Sequence, residues 1–188
     1  MINIDWKNTG PAVRRFFINT LFDSTFMLLG IVVGSAFTAK IDPSIVLATM
    51  TTSSLALGIS TGVSVYEAED LEQERRIAEI EKGMLKDMDK TLIGKTAKKS
   101  VAITALINFL TPLISCAVMI LPFLLVKIGF LKIEWASRIS VLLAFMMLFV
   151  MGAYMGKMGN RNPWLKGARM TVFGLLAFII GKLLYSLI

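Results

Sequence analysis

The chain of 188 residues contains no histidine and a single cysteine, Cys116. Without imidazole there is no histidine zinc site, no Ser-His-Asp triad and no Cys-His dyad, so soluble-type hydrolytic catalysis is close to excluded and no enzyme is expected. One cysteine allows no disulfide within the chain, which suits a reducing or membrane-buried setting; Cys116 reads as a small packing residue. Charge is scarce as well, with 18% charged residues against 55% hydrophobic ones. A soluble domain of this size cannot bury that much apolar surface. With a mean hydropathy of +0.70, the solvent of this chain is a lipid bilayer.

Apolar runs of roughly 20 residues are long enough to cross the hydrocarbon core as helices. Five occur, at 16–37, 43–66, 101–126, 139–155 and 170–187. The fourth is short, and Trp135 with its neighbours can extend it. The first is too long for a cleaved signal peptide, and no small-residue cleavage site follows a short core. The expected fold is therefore all-α and polytopic. Its parts are an N-terminal segment (1–15), spans one and two (16–66), a charged cytoplasmic helical segment (67–99) and spans three to five (100–188).

Loop lysines and arginines set the orientation. Lys7, Arg14 and Arg15 precede span one, and Lys157, Arg161, Lys166 and Arg169 lie around the turn between spans four and five with no acid among them. Both places belong on the cytoplasmic side, which puts the C-terminus outside. Lys127, Lys132 and Arg138 against Glu134, between spans three and four, are a mild violation. Most of the formal charge of +7 is then topology, and cations dispersed around membrane spans do not read as a nucleic-acid surface.

Asp23 stands inside the first apolar run. An ionisable group at that depth costs several kcal/mol unless it meets a cavity, a partner or an ion, so it marks a functional position by default. Span two carries an unusual number of hydroxyls, among them Ser54, Ser60, Thr61 and Ser64, which suit either packing or a wall along an ion path. Gly30 with Gly34 and Gly58 with Gly62 form small-xxx-small pairs that favour close helix packing. Pro112 and Pro122 free backbone carbonyls in span three.

Segment 67–99 holds nine acids and eight bases. Leu71, Ile77, Ile80, Met84, Leu85, Met88 and Leu92 recur at helical steps, and Glu72 with Arg76 and Glu79 with Lys82 have ion-pairing spacings. One reading is a solvated charged helix. The other is that Glu67, Glu72, Glu74, Glu79 and Glu81 offer carboxylates to a divalent cation at the cytoplasmic mouth, since hard cations favour oxygen ligands.

Several local motifs carry a resemblance. Phe22-Asp23-Ser24-Thr25-Phe26-Met27-Leu28-Leu29-Gly30 with Gly34, Ile59-Ser60-Thr61-Gly62-Val63-Ser64-Val65-Tyr66 followed by acids, Leu121-Pro122-Phe123, and Gly159-Asn160-Arg161-Asn162-Pro163-Trp164 together resemble the vacuolar iron transporter family. Ser24 replaces a family Gly, and Thr61 stands where the family signature has Met. Span two has no acid to match the Glu of iron-transporting members. The resemblance implies export of Fe²⁺ or Mn²⁺ from the cytosol in exchange for protons, through a homodimer with its path between subunits; the expected setting is a prokaryotic cell membrane. Asp23 would bind both metal and proton, and a symmetric dimer could join two copies of it with hydroxyls from Thr61 or Ser60 in an oxygen-only metal site; no resident cofactor is implied. The alternative from another class is a non-transporting membrane protein whose helix over 67–91 docks a partner through its apolar stripe.

Overall fold

The computed structural model describes residues 6–36, 42–84 and 92–187. These residues form five α-helices and no strand: α1 (Trp6–Ala36), α2 (Pro43–Met84), α3 (Leu92–Lys127), α4 (Ile133–Met158) and α5 (Pro163–Leu187). All five are long and apolar enough to cross a bilayer. The expected all-α, five-span architecture is therefore present. The charged segment after span two continues α2 as helix to Met84, and Leu85 and Met88 lie outside the described residues.

Helix boundaries follow local chemistry. Asp42 and Asn162 each precede a proline at the first helical position. Asp42 Oδ1 accepts a hydrogen bond from the Ser44 N–H at 2.8 Å, and Asn162 Oδ1 accepts one from the Trp164 N–H at 3.1 Å. Each side chain satisfies an N–H that has no partner within its helix, while proline sacrifices none there. This cap starts α5 seven residues ahead of the apolar run at 170–187.

The C-terminus of α3 closes in a Schellman turn: Phe130 N–H donates to Leu125 O and Gly129 N–H to Val126 O, both at 3.0 Å. Gly129 has φ +86°, a left-handed conformation that glycine adopts without steric cost. Asn160, at φ 50°, plays the same part after α4, where Arg161 N–H donates to Gly156 O at 2.9 Å. α4 itself begins at Ile133, so the short fourth run is extended through Trp135 as expected.

The chain forms two compact units. Unit 1 comprises residues 1–20 and 56–111, of which the structure describes the start of α1, the second half of α2 and the first half of α3. Here Gly58 and Gly62 lie against Phe109: a Cβ on Gly58 would stand 2.7 Å from Phe109 O, and one on Gly62 would stand 3.1 Å from Phe109 Cβ. The glycines therefore set how closely α2 and α3 approach.

Unit 2 comprises residues 21–55 and 112–188. Its core joins Leu28, Leu29 and Val32 of α1, Val46 and Met50 of α2, Cys116, Met119 and Phe123 of α3, and Ala136 and Ala144 of α4. Lipid tails are as apolar as these side chains, so such a core is held by close packing and by hydrogen bonds across helices. Ser24 Oγ donates to Ser115 Oγ at 2.9 Å, and Ser140 Oγ donates to Met119 O at 2.9 Å. Along the α4–α5 seam, Gly152, Gly156, Gly167 and Gly174 each leave less than 3.0 Å for an added Cβ.

Candidate functional site

α1 carries Asp23 in unit 2, next to the buried pair Ser24 and Thr25. Ser24 turns inward to Ser115, and Thr25 Oγ1 donates to its own helix at Leu21 O, 2.7 Å away. Helical rotation then leaves Asp23 facing outward, and it is exposed on the single chain. Seven and eleven residues on, Gly30 and Gly34 fall on the same stripe. Both are exposed, and a Cβ on either would meet nothing within 4 Å. The two small-residue pairs that look alike in sequence thus differ: Gly58 and Gly62 pack inside the chain, whereas Gly30 and Gly34 flank an outward-facing carboxylate.

Thr61 belongs to α2 in unit 1 and is half-buried. Its Oγ1 lies 2.8 Å from Leu57 O and 3.2 Å from Asn108 O. The second contact has a chemical reason. Pro112 has no N–H, so the Asn108 carbonyl four residues earlier lacks its usual helical donor. The Thr61 hydroxyl offers one from the neighbouring helix, sharing its single proton among the carbonyls of Leu57, Gly58 and Asn108. Its oxygen lone pairs remain available to a cation, but its orientation is already set by α3.

Three other hydroxyls of α2, those of Thr51, Thr52 and Ser64, also bond to their own helix. Thr51 donates to Leu47 O at 2.7 Å and Thr52 to Ala48 O at 2.8 Å. Ser54 differs, being fully buried with no hydrogen-bond partner for its Oγ among the described residues.

The glutamates are spread round α2. At 3.6 residues per turn, Glu67, Glu74 and Glu81 share one stripe, and Glu72 with Glu79 share another roughly 140° away. Glu67, Glu72, Glu74 and Glu79 are exposed and Glu81 is half-buried. Among the described residues no three His, Cys, Asp or Glu side chains gather closely enough to hold a metal. Leu71, expected on the apolar stripe, is exposed, while Ile77 and Ile80 are half-buried.

Glu69 and Asn108 are among the buried polar residues that the motifs did not single out. Glu69 is 4% exposed. The signal for it lay in the small-residue stripe: steps of four, three and four residues from Gly58 and Gly62 lead through Val65 to Glu69, and all four are buried. Asn108 is fully buried, accepting from Thr20 Oγ1 at 2.7 Å and donating through Nδ2 to Thr104 O at 2.8 Å. With each end of its amide matched, it ties α1 to α3 inside unit 1.

A sequence profile of the VIT family matches residues 84–184. The chain is also 29% identical over 174 residues to an uncharacterized protein of Methanocaldococcus jannaschii, covering 91% of this chain and 87% of that relative. With five membrane-length helices and more than half of its residues matched, the chain belongs to the VIT family and is a multi-pass membrane protein of the ion-transporter class.

Proposed function

We propose that the protein carries a divalent metal ion, Mn²⁺ or Fe²⁺, out of the cytosol in exchange for protons, working as a homodimer whose path is lined by Asp23 from each copy. The observation that carries this reading is the outward-facing Asp23 on the open face of Gly30 and Gly34. A carboxylate turned to lipid is costly, whereas the same group facing a second copy across a small-residue seam has a partner, water or an ion for company. Two such carboxylates would form an oxygen site suited to a hard divalent cation. Metal and proton compete for the same oxygens, and that competition is what exchange requires. Glu67, Glu72, Glu74, Glu79 and Glu81, on two stripes of the α2 extension, would concentrate cations near the cytoplasmic mouth without forming a tight site. The basic N-terminus and the basic turn between α4 and α5 support a cytoplasmic placement for both.

The test is uptake of Mn²⁺ and Fe²⁺ into proteoliposomes under an imposed pH gradient, for the wild type and Asp23→Asn. Flux that follows the gradient and falls at least tenfold in the variant is expected. Undiminished flux in Asp23→Asn would remove Asp23 from the path, and absence of flux in folded wild-type protein would refute the transport reading.

A further inference from the structure

Unit 1 contains a cavity of about 570 Å³ where α1 enters its apolar run and α2 leaves its own. Its lining includes Arg15 and Phe16 of α1 with Glu69, Glu72, Gln73 and Arg76 of α2. Glu69 is the informative member: 4% exposed, it makes no hydrogen bond or ion pair among the described residues. Glu72 and Arg76 have the spacing for a helical ion pair, yet none forms between them. The Arg15 guanidinium sits over the Phe16 ring, 4.9 Å from its centroid. Four charged side chains thus line one cavity without pairing directly with one another.

We propose that this cavity binds the headgroup of a phosphoethanolamine lipid, with the ammonium on Glu69 and the phosphate at Arg15 and Arg76. Charge selects the class. Two carboxylates and two guanidinium groups cancel, so a bare cation meets two positive charges and a bare anion meets two negative ones. A ligand carrying both signs matches each half. A buried carboxylate only accepts hydrogen bonds, and an ammonium supplies three donors. Guanidinium suits phosphate oxygens through its planar fork. A trimethylammonium headgroup has the same charge but no N–H, and would leave Glu69 unsatisfied.

Location selects the source. Phe16 is the first residue of the apolar run, and arginines at such a boundary lie level with lipid phosphates. The volume falls within the ~300–1,000 Å³ range of small-molecule sites.

The experiment is a titration of the delipidated full chain in detergent, followed by native mass spectrometry. The probes are phosphatidylethanolamine, phosphatidylcholine and phosphatidylglycerol of identical acyl chains, and the soluble glycerophosphoethanolamine. Wild type is expected to bind phosphatidylethanolamine at least tenfold more tightly than phosphatidylcholine. Wild type should bind phosphatidylglycerol more weakly than phosphatidylethanolamine, and Glu69→Gln should reduce the preference over phosphatidylcholine to within twofold. Arg76→Gln, at an exposed position that folding tolerates, should weaken both zwitterionic lipids alike. Equal binding of the two by wild type, or a preference that survives Glu69→Gln, overturns the proposal. Glycerophosphoethanolamine binding as tightly as the lipid would place the ligand in solution and overturn the lipid assignment.

Discussion

Gly152→Ala tests the packing of α4 on α5. The new Cβ would stand 2.8 Å from Lys166 O, 2.9 Å from Gly167 Cα and 2.9 Å from Met170 Cγ. Two of these three are backbone atoms, which cannot swing aside. Carbon atoms pack comfortably at about 3.5 Å, so the helices must part by roughly 0.6 Å. A gap of that size forfeits about a quarter to a half of each contact's attraction along the seam. Overpacking of this kind costs about 1–3 kcal/mol. Replacing glycine by alanine in a helix also returns about 1 kcal/mol through propensity, which would blur the result. Gly83→Ala removes that ambiguity, because Gly83 is exposed in α2 and its Cβ would meet nothing within 4 Å. Both variants gain the propensity term, so their difference isolates the clash. Reversible unfolding by SDS titration in mixed micelles, read by circular dichroism, should place Gly152→Ala about 1–3 kcal/mol below Gly83→Ala. A difference within about 0.5 kcal/mol, smaller than any overpacking penalty, would refute the claim that the backbones meet there.

Asn108→Ala deletes the bonds to Thr20 and Thr104. At about 0.6 kcal/mol per bond in a membrane protein plus a small cavity, a loss of about 1–3 kcal/mol is expected in the same titration. An unchanged midpoint would mean that the amide contributes nothing net. Gly30→Ile should leave the fold of the single chain intact, because that position faces open space, yet shift the protein from dimer to monomer in analytical ultracentrifugation. An intact Gly30→Ile dimer would move the interface elsewhere. Asp23→Asn and Glu69→Gln separate the two ligand readings: the first should abolish metal flux and leave lipid preference unchanged, and the second should abolish that lipid preference.

The five spans were legible because bilayer thickness fixes the length of apolar run a helix needs; four of the runs met it, and the run at 139–155 did so once extended through Trp135. Helix ends were less so where charge interrupts the run. Arg138 and Glu134 make α4 look shorter than it is, although the Arg138 guanidinium rests over Trp135 at 5.4 Å, one turn into the helix. The Asn162-Pro163 signal at the start of α5 was available in the chemistry and lay outside the apolar run. At the candidate site, Asp23 was legible as a charge among apolar neighbours. Which way it faces was not, since that depends on Ser24 and Thr25 turning inward. Glu69 was hidden among nine acids of one segment, and only its register with Gly58 and Gly62 distinguishes it.

The Thr61 hydroxyl that reaches the Asn108 carbonyl also bears on how this chain could change over generations. Pro112 withholds a donor from that carbonyl, and Thr61 makes up for it from the next helix. A methionine at position 61 has no proton to give. A descendant that gained a thioether there would strand the carbonyl unless it also lost Pro112 or recruited another hydroxyl. Positions 61 and 112 are therefore expected to covary among relatives, with hydroxyl and proline inherited together.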